Sequence, residues 1–183
     1  MRRQKERGNA GEESPGIYAG KAEAALKVII VSDTHRRNEN YFKVMQMHHP
    51  DLVIHCGDIE GSEYALSEAV SCPVQMVTGN NDFFSELPRE VEFTVGKYKV
   101  WVTHGHTYYI SMSTEYLLQE AIARGVDVVC YGHTHKPSVM KESGIWLVNP
   151  GSLSYPRQEG RKPSYCIMET DRFGDIHFTI AYL

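Results

Sequence analysis

The stretch KVIIVSDTH, Lys27 to His35, is an unbroken β-branched apolar run that stops abruptly in polar residues. An apolar run without alternation predicts a strand buried on both faces. The same design returns in DLVIHCGD (Asp51 to Asp58), VQMVTGNND (Val74 to Asp82), YKVWVTHGH (Tyr98 to His106) and VDVVCYGHTH (Val126 to His135). Helical patterns lie between several of these runs, over roughly 40–47, 63–69 and 114–124. Alternating strands and helices predict an α/β architecture, in which ligands bind beyond the carboxyl ends of the strands. The polar clusters at five strand ends can therefore converge on one place.

After residue 135 the pattern changes to shorter strands with no helix between them. PSVMKESGIWLVNPGS carries a turn at Ser143-Gly144, and SYCIMET and DIHFTIAYL flank a turn over Asp171 to Gly174. This asymmetry predicts a second sheet packed on the first, a two-sheet sandwich flanked by helices, with no internal repeat. One domain is expected over 27–183. Residues 1–26 begin with basic side chains but lack the apolar region of a signal peptide, and their polar, Gly-containing composition predicts a flexible tail that admits a short helix at Lys21 to Leu26.

The 183 residues suit one domain with a substantial core. Net charge is −4 with both signs interspersed, so no overall positive field would hold a nucleic-acid backbone. Cys56, Cys72, Cys130 and Cys166 form no C-x-x-C pair, which argues against a zinc knuckle or a dithiol redox site and for a reduced, cytoplasmic protein. No stretch is long and apolar enough to span a bilayer as a helix.

In chain order the strand-end polar residues are Asp33, His35, Asp58, Asn80, His104, His133 and His135. Carboxylates, imidazoles and an amide oxygen are the ligand set of Mn²⁺, Fe²⁺, Co²⁺, Ni²⁺ or Zn²⁺, whereas an all-oxygen site would favour Mg²⁺ or Ca²⁺. Seven donors exceed the needs of one ion and suggest two ions sharing a carboxylate. Gly57, Gly79, Gly105 and Gly132 adjoin these positions and let the backbone turn sharply. In an extended segment, Asp33 and His35, or His133 and His135, would point to one side with the intervening threonine turned away.

D-x-H, GD, GN, H-G-H and G-H-x-H in this order resemble the calcineurin-like metallophosphoesterase superfamily. The small size, GNND and NPGSLSYPR make the chain most similar to the YfcE-type phosphodiesterases. The resemblance covers about 27–183. It implies a four-layer αββα sandwich of two mixed sheets, with Asp33, His35 and His135 on a first metal and Asn80, His104 and His133 on a second. Asp58 would bridge them and hold the attacking hydroxide, and Mn²⁺ is the favoured metal. The implied activity is hydrolysis of small phosphodiesters; the competing reading is a non-catalytic scaffold like the retromer subunit of the same fold. A homo-oligomer is compatible with exposed edge strands.

Many members place a histidine after the motif asparagine as a general acid. Here that position is Asn81, whose amide has no proton to give. Weak activity on alkyl monoesters and a steep dependence on leaving-group acidity are expected. His106 is set between a proton donor beside the site and a plain loop residue. Asn81, Ser152 and Arg157 are the candidate substrate contacts, and Tyr108, Tyr109 and Tyr155 are weighed as stacking residues against ordinary packing. Arg36 and Arg37 are weighed as phosphate-facing guanidiniums against solvated charge, the preferred reading, and His48, His49 and His177 read as structural.

Overall fold

The computed structural model describes residues 25–183. The flexible-tail expectation therefore lies outside the described residues except at Ala25 and Leu26, which are not helical. Leu26 is buried in the core, and its N–H donates to Thr170 Oγ1 at 2.8 Å.

Among the described residues, ten strands form two mixed five-stranded sheets. Strands β1 (Lys27–Val31), β2 (Leu52–His55) and β3 (Val74–Met76) run parallel in the first sheet. Strands β9 (Ser164–Thr170) and β10 (Ile176–Tyr182) complete it in the order β10-β9-β1-β2-β3. The second sheet contains β4 (Glu90–Val95), β5 (Tyr98–Thr103), β6 (Val128–Cys130), β7 (Pro137–Glu142) and β8 (Ile145–Pro150), in the order β4-β5-β6-β8-β7. The second sheet thus begins much earlier than the late run of short strands implied. Conversely, β9 returns to the first sheet by antiparallel pairing of Val28 with Met168 and Ile30 with Cys166.

The two-sided strands explain the unbroken apolar runs. On β1, Val28 and Ile30 face the layer between the sheets while Ile29 and Val31 face α1 (Glu39–His48) and α2 (Glu63–Glu68). On β5, Val100 and Val102 point into the inter-sheet layer, and Trp101 points out under α3 (Glu115–Arg124). Burial of both faces is worth about 1.5–3 kcal/mol per large side chain, and it leaves no solvated face to alternate. The β7–β8 turn puts Ser143 at φ 51° and Gly144 at φ 84°, the twist-matching hairpin geometry. Arg124 ties α3 to the edge strand β4 through Glu90 at 2.8 Å and Glu92 at 3.0 Å, braced by Glu120 of its own helix at 2.7 Å and with its guanidinium over Trp101.

Cys56, Cys130 and Cys166 are buried free thiols in the inter-sheet core, and Cys72 is half-buried. No helix among the described residues is long and apolar enough to cross a membrane. His48 bonds Tyr165 Oη at 2.7 Å at the end of α1, His49 occupies its left-handed cap, and His177 meets Asp171 at 3.1 Å.

Candidate metal centre

The segments following β1, β2, β3, β5 and β6 meet at one edge of the sandwich. Asp33 and His35 follow β1, Asp58 follows β2, Asn80 follows β3, His104 follows β5, and His133 and His135 follow β6. One atom each from Asp33, His35, Asp58 and His135 lies within 4.8 Å of the others. Asn80 Oδ1 stands 2.9 Å from His133 Nδ1 and 3.1 Å from His104 Nε2. His104 Nε2 is 3.5 Å from Asp58 Oδ2, and His35 Nε2 is 3.6 Å from the same oxygen. All seven expected residues are therefore brought together, with the Asp58 carboxylate between the two groups.

The backbone achieves this by a route the sequence did not reveal. Asp33, His35, Asp58, His133 and His135 all take left-handed φ, between 44° and 66°. The D-T-H and H-T-H segments are thus tight turns, not extended strands. Such non-glycine conformations cost on the order of 1–3 kcal/mol each and gather where a site over-determines them. The threonines do turn away: Thr34 Oγ1 meets His55 Nε2 at 3.1 Å, and Thr134 Oγ1 accepts from Asn149 Nδ2 at 3.0 Å. Packing is close at the glycines, since a Cβ at Gly79 would strike the Asp58 carboxylate and one at Gly132 would strike Ser32 Oγ.

The rings are held in one tautomer by acceptors that have no proton to offer. His104 Nδ1 donates to the Cys56 carbonyl at 2.7 Å, His135 Nδ1 to the Tyr155 carbonyl at 2.7 Å, and His35 Nδ1 to Glu60 Oε1 at 2.6 Å. In its neutral form each ring held this way directs a bare Nε2 lone pair inward. Those lone pairs face oxygens and one another: His135 Nε2 is 3.1 Å from Asp33 Oδ1, and His35 Nε2 is 3.4 Å from His135 Nε2. Asp33 Oδ1 is buried and accepts no well-directed hydrogen bond. Lone pairs converging on lone pairs are stabilised by a cation, and imidazoles oriented through their second nitrogen are the usual support of metal ligands. The donor set fits divalent ions.

Without a cation the cluster shares protons. Burial disfavours ionised Asp33, but His135 and His104 outweigh it and hold its pKa below the carboxylate range. Asp58 is likewise held low, against its burial, by His104 and Asn81. Burial opposes a charge on His104, but Asp58 and Asp33 overcome it and raise the pKa. Burial followed by repulsion from His104 lowers both His133 and His106. Metal and protons therefore compete for the same lone pairs.

Supporting residues divide differently from expectation. Asn81 gives its backbone N–H to Asp58 Oδ1 and its amide Nδ2 to Asp58 Oδ2, both at 2.8 Å, so its side chain orients the carboxylate. Ser152 is fully buried; its hydroxyl donates to the Asp33 carbonyl at 2.8 Å and accepts the N–H groups of Ser154 and Tyr155. That hydroxyl is saturated, and the expectation that Ser152 contacts substrate gives way to a positioning role. Arg157 does face the site: it lines a cavity of about 560 Å³ with His35, His135, Tyr155 and Arg161. His106 lies 5.4 Å from the His104 ring, and its Nδ1 is buried without a partner.

Tyr155 stands edge-on to His35 beneath Arg37, whereas Tyr108 packs against Trp101 and bonds Glu90, and Tyr109 is exposed beside Tyr116. Only Tyr155 of the three borders the cluster. Arg36 donates its Nε to the Glu60 carbonyl.

Three groups escaped the sequence reading. Glu60 orients His35, Asn149 holds the Gly132 carbonyl at 2.8 Å, and Asp82 accepts four backbone N–H groups, from Asp58, Ile59, Glu60 and Gly79, at 2.6–2.9 Å. The signals were present in GNND and NPG, where Asp and Asn commonly bind nearby backbone.

Known proteins resemble this chain along most of its length. The chain is 35% identical over 145 residues to the probable metallophosphoesterase YsnB of Bacillus subtilis, covering 78% of this chain and 83% of that one. A predicted phosphoesterase from Streptococcus pneumoniae superposes with a TM-score of 0.72 at 28% identity, covering 87% of this chain and 99% of that one. Vps29 of Entamoeba histolytica, solved with zinc, shares the fold with a TM-score of 0.69 at 20% identity, over 86% and 99% of the two chains. Residues 26–172 match the family model for the calcineurin-like phosphoesterase superfamily domain, and the chain belongs to that superfamily.

Proposed function

We propose that the protein is a phosphodiesterase that hydrolyses small phosphodiesters at a pair of divalent metal ions. Membership of the superfamily makes it a hydrolase of phosphoric ester bonds that works with divalent metal. The observation that carries the finer reading is the convergence of three tautomer-locked Nε2 lone pairs on the Asp33 and Asp58 carboxylates. Asp33, His35 and His135 would hold one ion, Asn80, His104 and His133 the other, and Asp58 would be shared. Mn²⁺ is the favoured metal, with Fe²⁺, Co²⁺, Ni²⁺ and Zn²⁺ as chemically matched alternatives. When bound, such a pair supplies an activated water and neutralises charge on the phosphoryl group.

The chain's own residues set the geometry. Asn81 fixes both Asp58 oxygens, and Asp82 pins the backbone amides of Asp58, Ile59 and Glu60 together with that of Gly79, just before Asn80. Arg157 offers a planar pair of donors to phosphate oxygens on the His35–His135 side. No acid side chain stands at Asn81, and the lowered pKa of His106 favours a neutral ring. Leaving groups that depart as stable anions are therefore the best served, which favours activated diesters over alkyl monoesters. The free, buried thiols suit a reducing compartment such as the cytoplasm.

The test compares bis-p-nitrophenyl phosphate and p-nitrophenyl phosphate with chelator-treated protein, with and without Mn²⁺, beside an Asp58→Asn variant. Mn²⁺-dependent diester hydrolysis, lost in the variant, is the expected result. Folded protein that turns over neither ester with any divalent metal favours the second reading, a protein-binding scaffold, which rests on the fold shared with Vps29.

A further inference from the structure

Two phenylalanines beside the metal centre are left in water. Phe83 is 80% exposed and Phe84 is completely exposed, immediately after the Asn81 and Asp82 that build the site. The loop carrying them is closed at both ends. Asp82 is anchored through its carboxylate to four backbone amides, and Thr78 N–H donates to the Pro88 carbonyl at 2.9 Å. The rings thus project from a fixed base.

They wall a cavity of about 680 Å³ together with Arg36, Glu60, Asn81 and Glu86. That volume is in the range of small-molecule sites. Its far wall belongs to the metal centre, since Glu60 holds His35 and Asn81 holds Asp58. Phe83 also borders a second cavity, of about 400 Å³, with Asn80, Arg89 and His106. A substrate whose phosphate sits at the metals would lay its adjoining substituent along these rings.

The chemistry of the walls selects the substituent. Two ring faces and the flat Arg36 guanidinium favour a planar aromatic group. Glu60 and Glu86 accept hydrogen bonds from ring N–H or amino groups, and they repel an anionic lipid surface. Two rings also make a patch far smaller than the roughly 800 Å² per partner of a stable protein interface. We propose that Phe83 and Phe84 are the stacking wall for the nucleobase of a nucleoside phosphodiester substrate. The proposal rests on the phosphodiesterase reading and names its substrate class.

The test uses two diesters with one leaving group, thymidine 5′-(p-nitrophenyl phosphate) and methyl p-nitrophenyl phosphate, on the Mn²⁺-treated full chain. Wild type should favour the nucleoside ester in KM by about tenfold, the scale of one base stacked on an aromatic ring. Phe83→Ala/Phe84→Ala should bring that ratio to about one, and Phe83→Tyr/Phe84→Tyr should restore it. An unchanged ratio in the alanine variant overturns the proposal.

Calorimetry on metal-free protein supplies a readout independent of turnover. Adenosine 5′-monophosphate should bind about tenfold more tightly than ribose 5-phosphate to wild type, and equally in the alanine variant. Equal binding in wild type overturns the platform whether or not the diesters are hydrolysed. Failure of both diesters with this preference intact overturns the phosphodiesterase reading alone.

Discussion

Replacing His55 with glutamine should flatten the acid sensitivity of the fold. His55 ends β2 and is fully buried beneath the metal centre. Its Nδ1 accepts the Gly57 N–H at 3.2 Å, so Nε2 carries the proton and donates to Thr34 Oγ1 at 3.1 Å. Burial pushes the pKa down from the ordinary 6.5 to about 4, against the pull of the Asp33 and Asp82 carboxylates. Between these values the unfolded chain binds a proton that the folded chain refuses, so stability falls as pH falls from about 6.5 towards 4. At 1.36 kcal/mol per pKa unit the full window is worth about 3 kcal/mol, most of it lost by about pH 4.5. Glutamine can accept and donate at the same two places without titrating. The assay is urea unfolding of metal-free protein at several pH values from about 7 to 4.5, comparing the wild-type and His55→Gln slopes. The variant should lose about 2–3 kcal/mol less on acidification than wild type. Parallel pH profiles would refute the assignment of a neutral, buried imidazole at this position.

Other substitutions probe the supports of the centre. Glu60→Gln removes the charged partner of His35 Nδ1 at a half-buried position, and metal affinity measured by calorimetry should drop about 10- to 100-fold with little change in melting temperature. Gly132→Ala forces a Cβ onto Ser32 Oγ and within 2.9 Å of Asp33 Oδ2; unfolding measurements should show a loss of about 1–3 kcal/mol. Asp82→Asn can no longer serve four backbone donors as a carboxylate, and chemical denaturation should report a loss of about 3 kcal/mol or more with weakened metal binding.

The fold was legible where burial is two-sided. Ile29 and Ile30 on β1 leave no polar position between Val28 and Val31, and the polar residues that follow can only mark the strand's end. Strand β4 was missed because EVEFTV alternates on an edge and blends with the loop before it. The return of β9 to β1 was hidden because residues more than a hundred positions apart set that pairing, and nothing local to either strand specifies its partner. At the site, residue type and order sufficed to name the seven inward-facing side chains. They did not reveal the left-handed backbone that aims them, because φ at Asp33 or His133 is imposed by tertiary contacts that override local preference. Ser152 was misjudged for a related reason, its hydroxyl being spent on the scaffolding of the site, and the hold of Asn81 on Asp58 went unread in the same way.

The central claim is that seven side chains hold two divalent ions. Titration of chelator-treated protein with Mn²⁺, read by calorimetry with bound metal counted by elemental analysis, tests it most directly. The account predicts two ions per chain in wild type and loss of one strong site in His135→Ala. Uptake of no ion, or of a single ion unaffected by His135→Ala, would contradict it.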